Sequence, residues 1–407
     1  MIETYITKTL SALNEPLVVQ GKETAVEDVD GLKRIKDTPD ECRPPTQQPY
    51  GEEGSDHLTS APRQRKKSLV RGVDDKKYLS AVTSIPLYTY VLCWIFLLAF
   101  ASAITIYFIE ERRYEIMECF FLAIAGVTCS GLTTIDFMQL SSGSLVVLTI
   151  VLLLGSGINL SLIPVWVRLF YLKRSIPLNM RTFNLRDYER LPSFVVEYKC
   201  LQLISRIAIA YMVIMYALGT ILIYVAVMVA GKDETIYDPQ YTPPSFASPL
   251  GFAIFTSVSA FTNCGFSLRP TYRGNISPSI LVVINFLSLS GNVFFPIFMR
   301  WIIIFLSRFS DVESSRKVCF RYILVNGRKH YSCIFTSQQT WLLFCVQLLF
   351  IFAQTLCLCV LGNEVNTSQA LFMAITTRHT GFTAVDLASQ NSGILVLFLA
   401  MMFLAPT

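Results

Sequence analysis

Three short stretches interrupt the apolar sequence, and each is built around one glycine. The first is Ser130-Gly131-Leu132-Thr133 and the last is Thr380-Gly381-Phe382-Thr383, while Cys264-Gly265-Phe266-Ser267 has the same character. In all three, a large apolar residue and then a hydroxyl residue follow the glycine. The wide spacing of the glycines along the chain excludes a solenoid repeat and fits a duplicated membrane module.

A short apolar segment leads into each glycine. These segments are Phe121–Ser130, Phe255–Cys264 and Leu371–His379. A hydrocarbon core of about 30 Å needs about 20 residues of helix, so none of them can cross a bilayer. We therefore predict three re-entrant half-helices, each followed by irregular backbone. Such backbone is tolerated at membrane depth only where it faces protein or a water-filled cavity.

The chemistry expected at the end of these half-helices is cation binding. The carbonyl end of a helix carries a partial negative charge, and glycine allows positive φ, so that successive carbonyls can turn toward one axis. Carbonyls that ring an axis replace the hydration shell of a monovalent cation. The expected filter residues are Gly131, Gly265 and Gly381, flanked by Ser130, Cys264, Thr380 and Asn263.

The composition is that of a membrane protein. Of 407 residues, 53% are hydrophobic and 15% are charged, which is too apolar for a soluble protein. We predict an all-α polytopic fold in which helix–pore loop–helix modules repeat around a central cation pore. The eleven cysteines form no Cys-x-x-Cys pair and there are three histidines, so we expect no metal site and no cofactor beyond the transported K+ or Na+. We expect the protein to interact with the lipid bilayer and not with nucleic acid.

Apolar and charged runs divide the chain into modules. A polar, Pro-rich segment at 1–80 predicts a disordered tail with a basic cluster. The segments that follow are pore module 1 (85–175), a link (176–199), pore module 2 (200–308), a second link (309–338) and pore module 3 (339–407). The predicted spans are Leu87–Ile109, Leu145–Leu172, Cys200–Ala230, Leu281–Leu306, Trp341–Leu361 and the start of another at Gly393–Ala405.

Charge along these links predicts the orientation. The links after modules 1 and 2 are rich in arginine and lysine, which places them in the cytoplasm together with the N-terminal tail. Every half-helix then falls on the acidic, outer side. We expect the protein to lie in the plasma membrane.

The third module stops early in this chain. The helix at Gly393–Ala405 reaches only about 20 Å before Thr407. A carbonyl ring of the familiar kind has four loops, and three are present. We expect an incomplete version of a four-module protein whose fourth module is absent, and a partner that supplies the rest is the alternative.

Longer motifs resemble a known family. Ser257–Phe266 is similar to the second pore loop of plant high-affinity K+ transporters (HKT), and Thr377–Gly381 to their third loop. Gly291–Pro296 and Ile394–Leu404 resemble the helices after those loops. The wider group is the Trk/Ktr/HKT family, and the resemblance implies four modules around one pore, one filter residue per module, and homodimers of complete pores. A glycine at the first filter position, here Gly131, goes with K+ permeability in that family.

Several nearby residues admit two interpretations. Asp136 and Asp386 follow filter glycines, where they would attract cations to an outer vestibule or cap the next segment. We expect Asn263 to hydrogen-bond loop backbone and Arg378 to point away from the filter, because a cation in the filter would oppose conduction. Asn159 is expected to form interhelical hydrogen bonds.

Other function classes compete with K+ and Na+ permeation. A secondary transporter for another solute would need ionisable residues within the spans, and almost none are present. A nonconducting or partner-dependent membrane subunit stays open because the fourth loop is missing. We expect no enzyme, since no nucleophile–base set or phosphate loop is apparent.

Overall fold

Helices make up the fold of the residues that the structure describes. This computed structural model describes residues 87–176, 193–230, 248–268, 278–291, 293–310, 315–362, 365–385, 387 and 390–403. The predicted tail at 1–80 and Asp386 lie outside the described residues. In chain order the helices are α1 (Leu87–Ile109), α2 (Ile116–Val127), α3 (Ser142–Gly155), α4 (Gly157–Ser175), α5 (Ser193–Ala230), α6 (Pro249–Phe261), α7 (Pro278–Gly291), α8 (Phe295–Phe309), α9 (Ser315–His330), α10 (Ser337–Leu361), α11 (Thr367–His379) and α12 (Ser392–Phe403).

Three of these helices are long and apolar enough to cross a membrane. They are α1, α5 and α10, and their cores match the predicted spans from Leu87, Cys200 and Trp341. Many of their large apolar side chains are exposed on the protein, as expected for surfaces that face lipid. Two bent helix pairs bring the number of candidate spans in the described part of the chain to five.

The two remaining full-length spans, predicted at Leu145–Leu172 and Leu281–Leu306, are each a bent pair of helices in the structure. The pair α3 and α4 bends by 54° at Ser156, and α7 and α8 bend by 77° after Gly291. The Ser156 side chain accepts a hydrogen bond from the Asn159 backbone N–H at 3.3 Å and so caps α4. Asn159 itself donates to the Leu153 carbonyl across the break. The side-chain amide of Asn159 therefore supplies a hydrogen-bond donor to a backbone carbonyl next to the bend. It does not join two separate spans, as had been expected.

The three predicted half-helices are present as α2, α6 and α11, with 12, 13 and 13 residues. Each begins several residues earlier than the apolar pattern indicated, because a polar residue caps it. Glu115 and Asn366 form capping boxes, and the Ser248 side chain accepts from the Gly251 N–H at 3.2 Å. Each half-helix is thus capped by a polar residue at its beginning, and it ends a few residues before a filter glycine.

Packing between modules repeats the same relationship. The half-helix α6 of module 2 packs against α3 of module 1, and α11 of module 3 packs against α7 of module 2. Phe137, from the loop after Gly131, joins the first two modules, since its ring centroid lies 4.8 Å from that of Phe266 and 6.1 Å from that of Phe255. Successive modules are therefore arranged in one rotational order.

Candidate functional site: a filter of three loops

The three predicted filter glycines share one backbone conformation. Gly131, Gly265 and Gly381 have φ of 75°, 83° and 77°, and each lies just after the end of its half-helix. An L-residue with a side chain rarely adopts this left-handed region, so the sequence requires glycine there. The residues two positions before the first two glycines, Cys129 and Asn263, also have positive φ. The backbone thus turns sharply at the point where each half-helix stops.

Hydrogen bonds hold the filter amides back toward the half-helices. The Ser130 N–H donates to the Ala125 carbonyl at 3.0 Å, and the Cys264 N–H donates to the Ser259 carbonyl at 3.1 Å. In the third loop the Gly381 N–H donates to the Thr376 carbonyl at 2.9 Å. Because these amides are occupied within their own loops, the carbonyls of the turn are left for other partners.

The loops contact one another in a fixed order around the site. A Cβ built on Gly131 would lie 2.3 Å from the Cys264 carbonyl oxygen, and one built on Gly265 would lie 1.7 Å from the Thr380 carbonyl oxygen. A Cβ on Gly381 would meet no heavy atom within 4 Å in the described part of the protein. In the second and third loops, the carbonyl before the filter glycine therefore abuts the glycine of the preceding loop. Nothing in the described part of the protein abuts Gly381 in the same way.

The flanking residues differ in burial. Ser130 is exposed, whereas Cys264 and Thr380 are buried, with their carbonyl oxygens at the contacts just described. Asn263 is also buried, but neither of its side-chain polar atoms has a hydrogen-bond partner among the described residues. The expected bond from Asn263 to loop backbone is therefore not formed there. Its Oδ1 instead lies 2.7 Å from the position of a Cβ on Gly291.

Comparison with known proteins identifies the family. The family model described as "TrkH: Cation transport protein" matches residues 98–406, which is most of the chain. The chain belongs to the TrkH cation transport protein family. This confirms the resemblance to the Trk/Ktr/HKT group that the loop motifs indicated, and the family is one of cation transport proteins rather than of enzymes.

Individual relatives of this TrkH-family chain include plant and fungal proteins. The sodium transporter HKT1 of Arabidopsis thaliana is 28% identical over 324 residues, which cover 71% of this chain and 61% of that protein. Potassium transport protein 2 of Schizosaccharomyces pombe is 27% identical over 56% of this chain and 27% of its own length. The potassium transporter TrkH of Vibrio parahaemolyticus aligns with 77% of this chain and 55% of its own at a TM-score of 0.44 and 17% identity. The chain thus spans less than two thirds of the length of these proteins.

One serine that the sequence did not single out supports the second filter loop of this TrkH-family chain. The Ser259 hydroxyl donates to the Phe266 carbonyl at 2.7 Å, while the Ser259 carbonyl accepts from the Cys264 N–H. Ser259 thereby bonds to the backbone on both sides of Gly265. The first loop has Ala125 at the matching position and is braced differently, since the Thr133 hydroxyl donates to the Ile135 carbonyl at 2.6 Å.

A buried carboxylate was also missed by sequence reasoning. Glu110 is 8% exposed, and its Oε1 accepts hydrogen bonds from the Ser141 N–H at 2.8 Å and from the Ser144 hydroxyl at 2.6 Å. It thus joins the end of α1 to the beginning of α3, where the positive end of the helix dipole favours a negative charge. The sequence signal for this contact was a glutamate directly after an apolar span, together with the serines Ser141 and Ser144 at the beginning of a later helix.

The structure describes one of the two acidic residues proposed for an outer vestibule. Asp136 is exposed, and its backbone carbonyl accepts from the Gln139 N–H at 3.1 Å in the 3₁₀ turn Phe137–Gln139. Asp386 lies outside the described residues. The exposed position of Asp136, a few residues after Gly131, is compatible with either interpretation.

The arginine at the end of α11 is buried in protein. Arg378 is 3% exposed, and its guanidinium lies over the ring of Phe350 in α10, 4.5 Å from the centroid. A cation–π contact of this kind stabilises a desolvated guanidinium. Arg378 therefore braces the third half-helix against the neighbouring span, as expected from its sequence position.

Proposed function

We propose that this TrkH-family chain conducts monovalent cations, K+ and also Na+, through the filter formed by Gly131, Gly265 and Gly381. The observation that supports this most directly is the order of contacts in the filter. The carbonyl of Cys264 abuts Gly131 and that of Thr380 abuts Gly265. Three turns with the same positive φ at glycine therefore lie next to one another. Turns of this kind can present carbonyl oxygens to one dehydrated cation.

In this proposal, Gly131 in the first loop determines which of K+ and Na+ can pass. Gly131 has no side chain to narrow the passage, and a glycine there goes with K+ permeability in the family that the motifs resemble. Relatives named as a sodium transporter and as potassium transport proteins support both ions as substrates. Asp136, in its exposed position, would raise the local cation concentration outside the filter.

A fourth loop completes the ring in this proposal. It would lie against Gly381, where a Cβ meets nothing within 4 Å in the described part of the protein. Either further residues of a longer chain or a partner polypeptide would supply it. The same observation favours a second candidate function, a partner-dependent membrane subunit that conducts only when another chain closes the ring.

The surroundings of the protein are also part of the proposal. We place it in the plasma membrane as a homodimer, with the N-terminus in the cytoplasm. Lys173 and Arg174 in the last turn of α4 and Arg308 in that of α8 mark one side as basic, whereas Glu115 and Glu118 mark the beginning of α2 as acidic. Basic residues are retained in the cytoplasm, which supports this orientation.

Ion flux into proteoliposomes tests the proposal. We expect uptake of K+ and Na+ but not of a large organic cation such as N-methylglucamine. Gly131→Ser should lower the ratio of K+ to Na+ flux, because its Cβ meets the Cys264 carbonyl. Gly157→Ser is the matched control, since a Cβ at Gly157 meets nothing within 4 Å.

Two results would contradict this proposal, one for the filter and one for conduction by this chain alone. Flux of the organic cation at the same rate as K+ would exclude a carbonyl filter. Absence of all flux from a well-folded sample would favour the partner-dependent subunit, which would then have to conduct when it is reconstituted with membrane extract from its source.

A further inference from the structure

Two buried thiols meet where α9 packs against α5. Cys200 in α5 is fully buried and Cys319 in α9 is 4% exposed. The Cys200 thiol donates to the Cys319 backbone carbonyl at 3.9 Å. The two residues are remote in sequence, so their contact joins the first span of module 2 to the helix that follows that module.

The contact between the two residues also affects the acidity of Cys319. The neighbouring Cys200 side chain lowers the pKa of the Cys319 thiol despite its burial, and Lys199 lowers it further. A thiol with a lowered pKa is a better nucleophile at neutral pH. Cys319 is also the more exposed of the two, so it is the thiol that a small oxidant would meet first.

The thiols lie where three helices meet. The carboxylate of Glu197 in α5 forms a buried ion pair with Arg168 in α4. The helix α5 also packs against α9, the helix that carries Cys319. The thiol pair is therefore part of a packed junction of α4, α5 and α9.

We propose that Cys200 and Cys319 form a reversible disulfide when a peroxide oxidises them, and that this bond fastens α9 to α5. The Cys319 thiolate attacks one peroxide oxygen, which gives a sulfenic acid and releases hydroxide. The Cys200 thiol then attacks the sulfenic sulfur, and water leaves. In sum, two thiols and one hydrogen peroxide give one disulfide and two waters. Disulfides at the cytoplasmic side of the proposed orientation are typically of this transient, redox-sensing kind.

The bond would act on the pore through α8. The helix α9 packs against α8 as well as α5, and α8 is the half of a bent pair that begins just after Gly291. Gly291 in turn touches the end of α6, which leads into the second filter loop. Fastening α9 to α5 would restrict changes in the bend between α7 and α8. This effect on transport rests on the proposed function, whereas formation of the disulfide does not.

Peptide mapping of the full chain in lipid nanodiscs tests the disulfide. The protein is treated with hydrogen peroxide and then denatured in the presence of an alkylating agent, which blocks the remaining free thiols. It is then digested with trypsin under nonreducing conditions. Cleavage after Lys199 and Arg206 releases a peptide with Cys200 alone, and cleavage after Lys317 and Arg321 releases one with Cys319 alone. We expect these two peptides to be linked, and dithiothreitol to separate them. Recovery of both as alkylated free thiols, when the exposed Cys345 is oxidised, would overturn the proposal.

Variants separate this pair from other buried cysteines. Cys200→Ser and Cys319→Ser should each remove the linked peptide, whereas Cys333→Ser, at another buried cysteine, should keep it. In the flux assay, peroxide should cause a loss of flux that dithiothreitol restores, and Cys200→Ser should prevent the loss. A linked peptide with unchanged flux would overturn the effect on the pore alone. No flux before oxidation would count against the proposed function and leave the disulfide standing.

Discussion

Gly291 lies directly against the carbonyl oxygen of Phe261, because a Cβ built on this glycine would come within 1.7 Å of that oxygen. Gly155 has the same relationship to Val127, with 2.4 Å between such a Cβ and the carbonyl oxygen. Each glycine ends a 14-residue helix and touches the end of the half-helix in its own module. The bend in each broken span is therefore set against the base of a filter loop.

Alanine at the first of these glycines should destabilise the protein. Gly155→Ala would push Val127 backbone away, at a cost of about 1–3 kcal/mol for overpacking. Gly157→Ala is the control two residues further on, where a Cβ meets nothing within 4 Å. Thermal unfolding in detergent should show a lower Tm for Gly155→Ala only. Equal Tm values for the two variants would mean that the helix end moves freely.

The filter glycines should differ in their tolerance of alanine. Positive φ costs an L-residue roughly 1–2 kcal/mol at either site. Gly265→Ala adds a clash with the Thr380 carbonyl, whereas Gly381→Ala meets open space in the described part of the protein. We expect Gly265→Ala to lower the yield of monodisperse protein in size-exclusion chromatography more than Gly381→Ala does. The reverse order would indicate that a further segment already fills the space at Gly381.

Loss of the Ser259 hydroxyl should loosen the second filter loop. Ser259→Ala removes the hydrogen bond to the Phe266 carbonyl, which is worth about 1 kcal/mol. We expect a lower ratio of K+ to Na+ flux with little change in Tm, and Ser259→Thr should restore the ratio. Ser290→Ala, which removes a bond from a hydroxyl to the Phe286 carbonyl within α7, is the control. A ratio that falls equally in both serine variants would refute a specific role for Ser259.

Removal of the Glu110 carboxylate should weaken the beginning of α3. Glu110→Ala leaves the Ser141 N–H and the Ser144 hydroxyl without their partner, at a cost of about 1–3 kcal/mol for buried donors. Glu111→Ala changes an exposed neighbour of the same charge and should be nearly neutral. Thermal unfolding measures both. An unchanged Tm for Glu110→Ala would show that water replaces the carboxylate.

Predictions from the sequence were most accurate where they depended on the length of apolar runs. The spans from Leu87 and Trp341 and the three half-helices follow from how many residues a bilayer requires. The bends at Ser156 and after Gly291 could not be decided from the sequence, because hydropathy is continuous across both. At each break the end of a half-helix packs against a glycine, Val127 against Gly155 and Phe261 against Gly291, and no local pattern reports such a contact.

The amino-acid sequence by itself determined the family and the three glycines with positive φ, and it predicted the modules, since these depend on local composition and on motifs within single loops. Only the tertiary structure decided which atoms meet. It placed the Cys264 carbonyl against Gly131, Glu110 at the beginning of α3, and the Cys200 thiol beside Cys319. Each of these contacts joins residues far apart in the chain. No local pattern encodes such pairs, because their proximity arises from how whole helices pack.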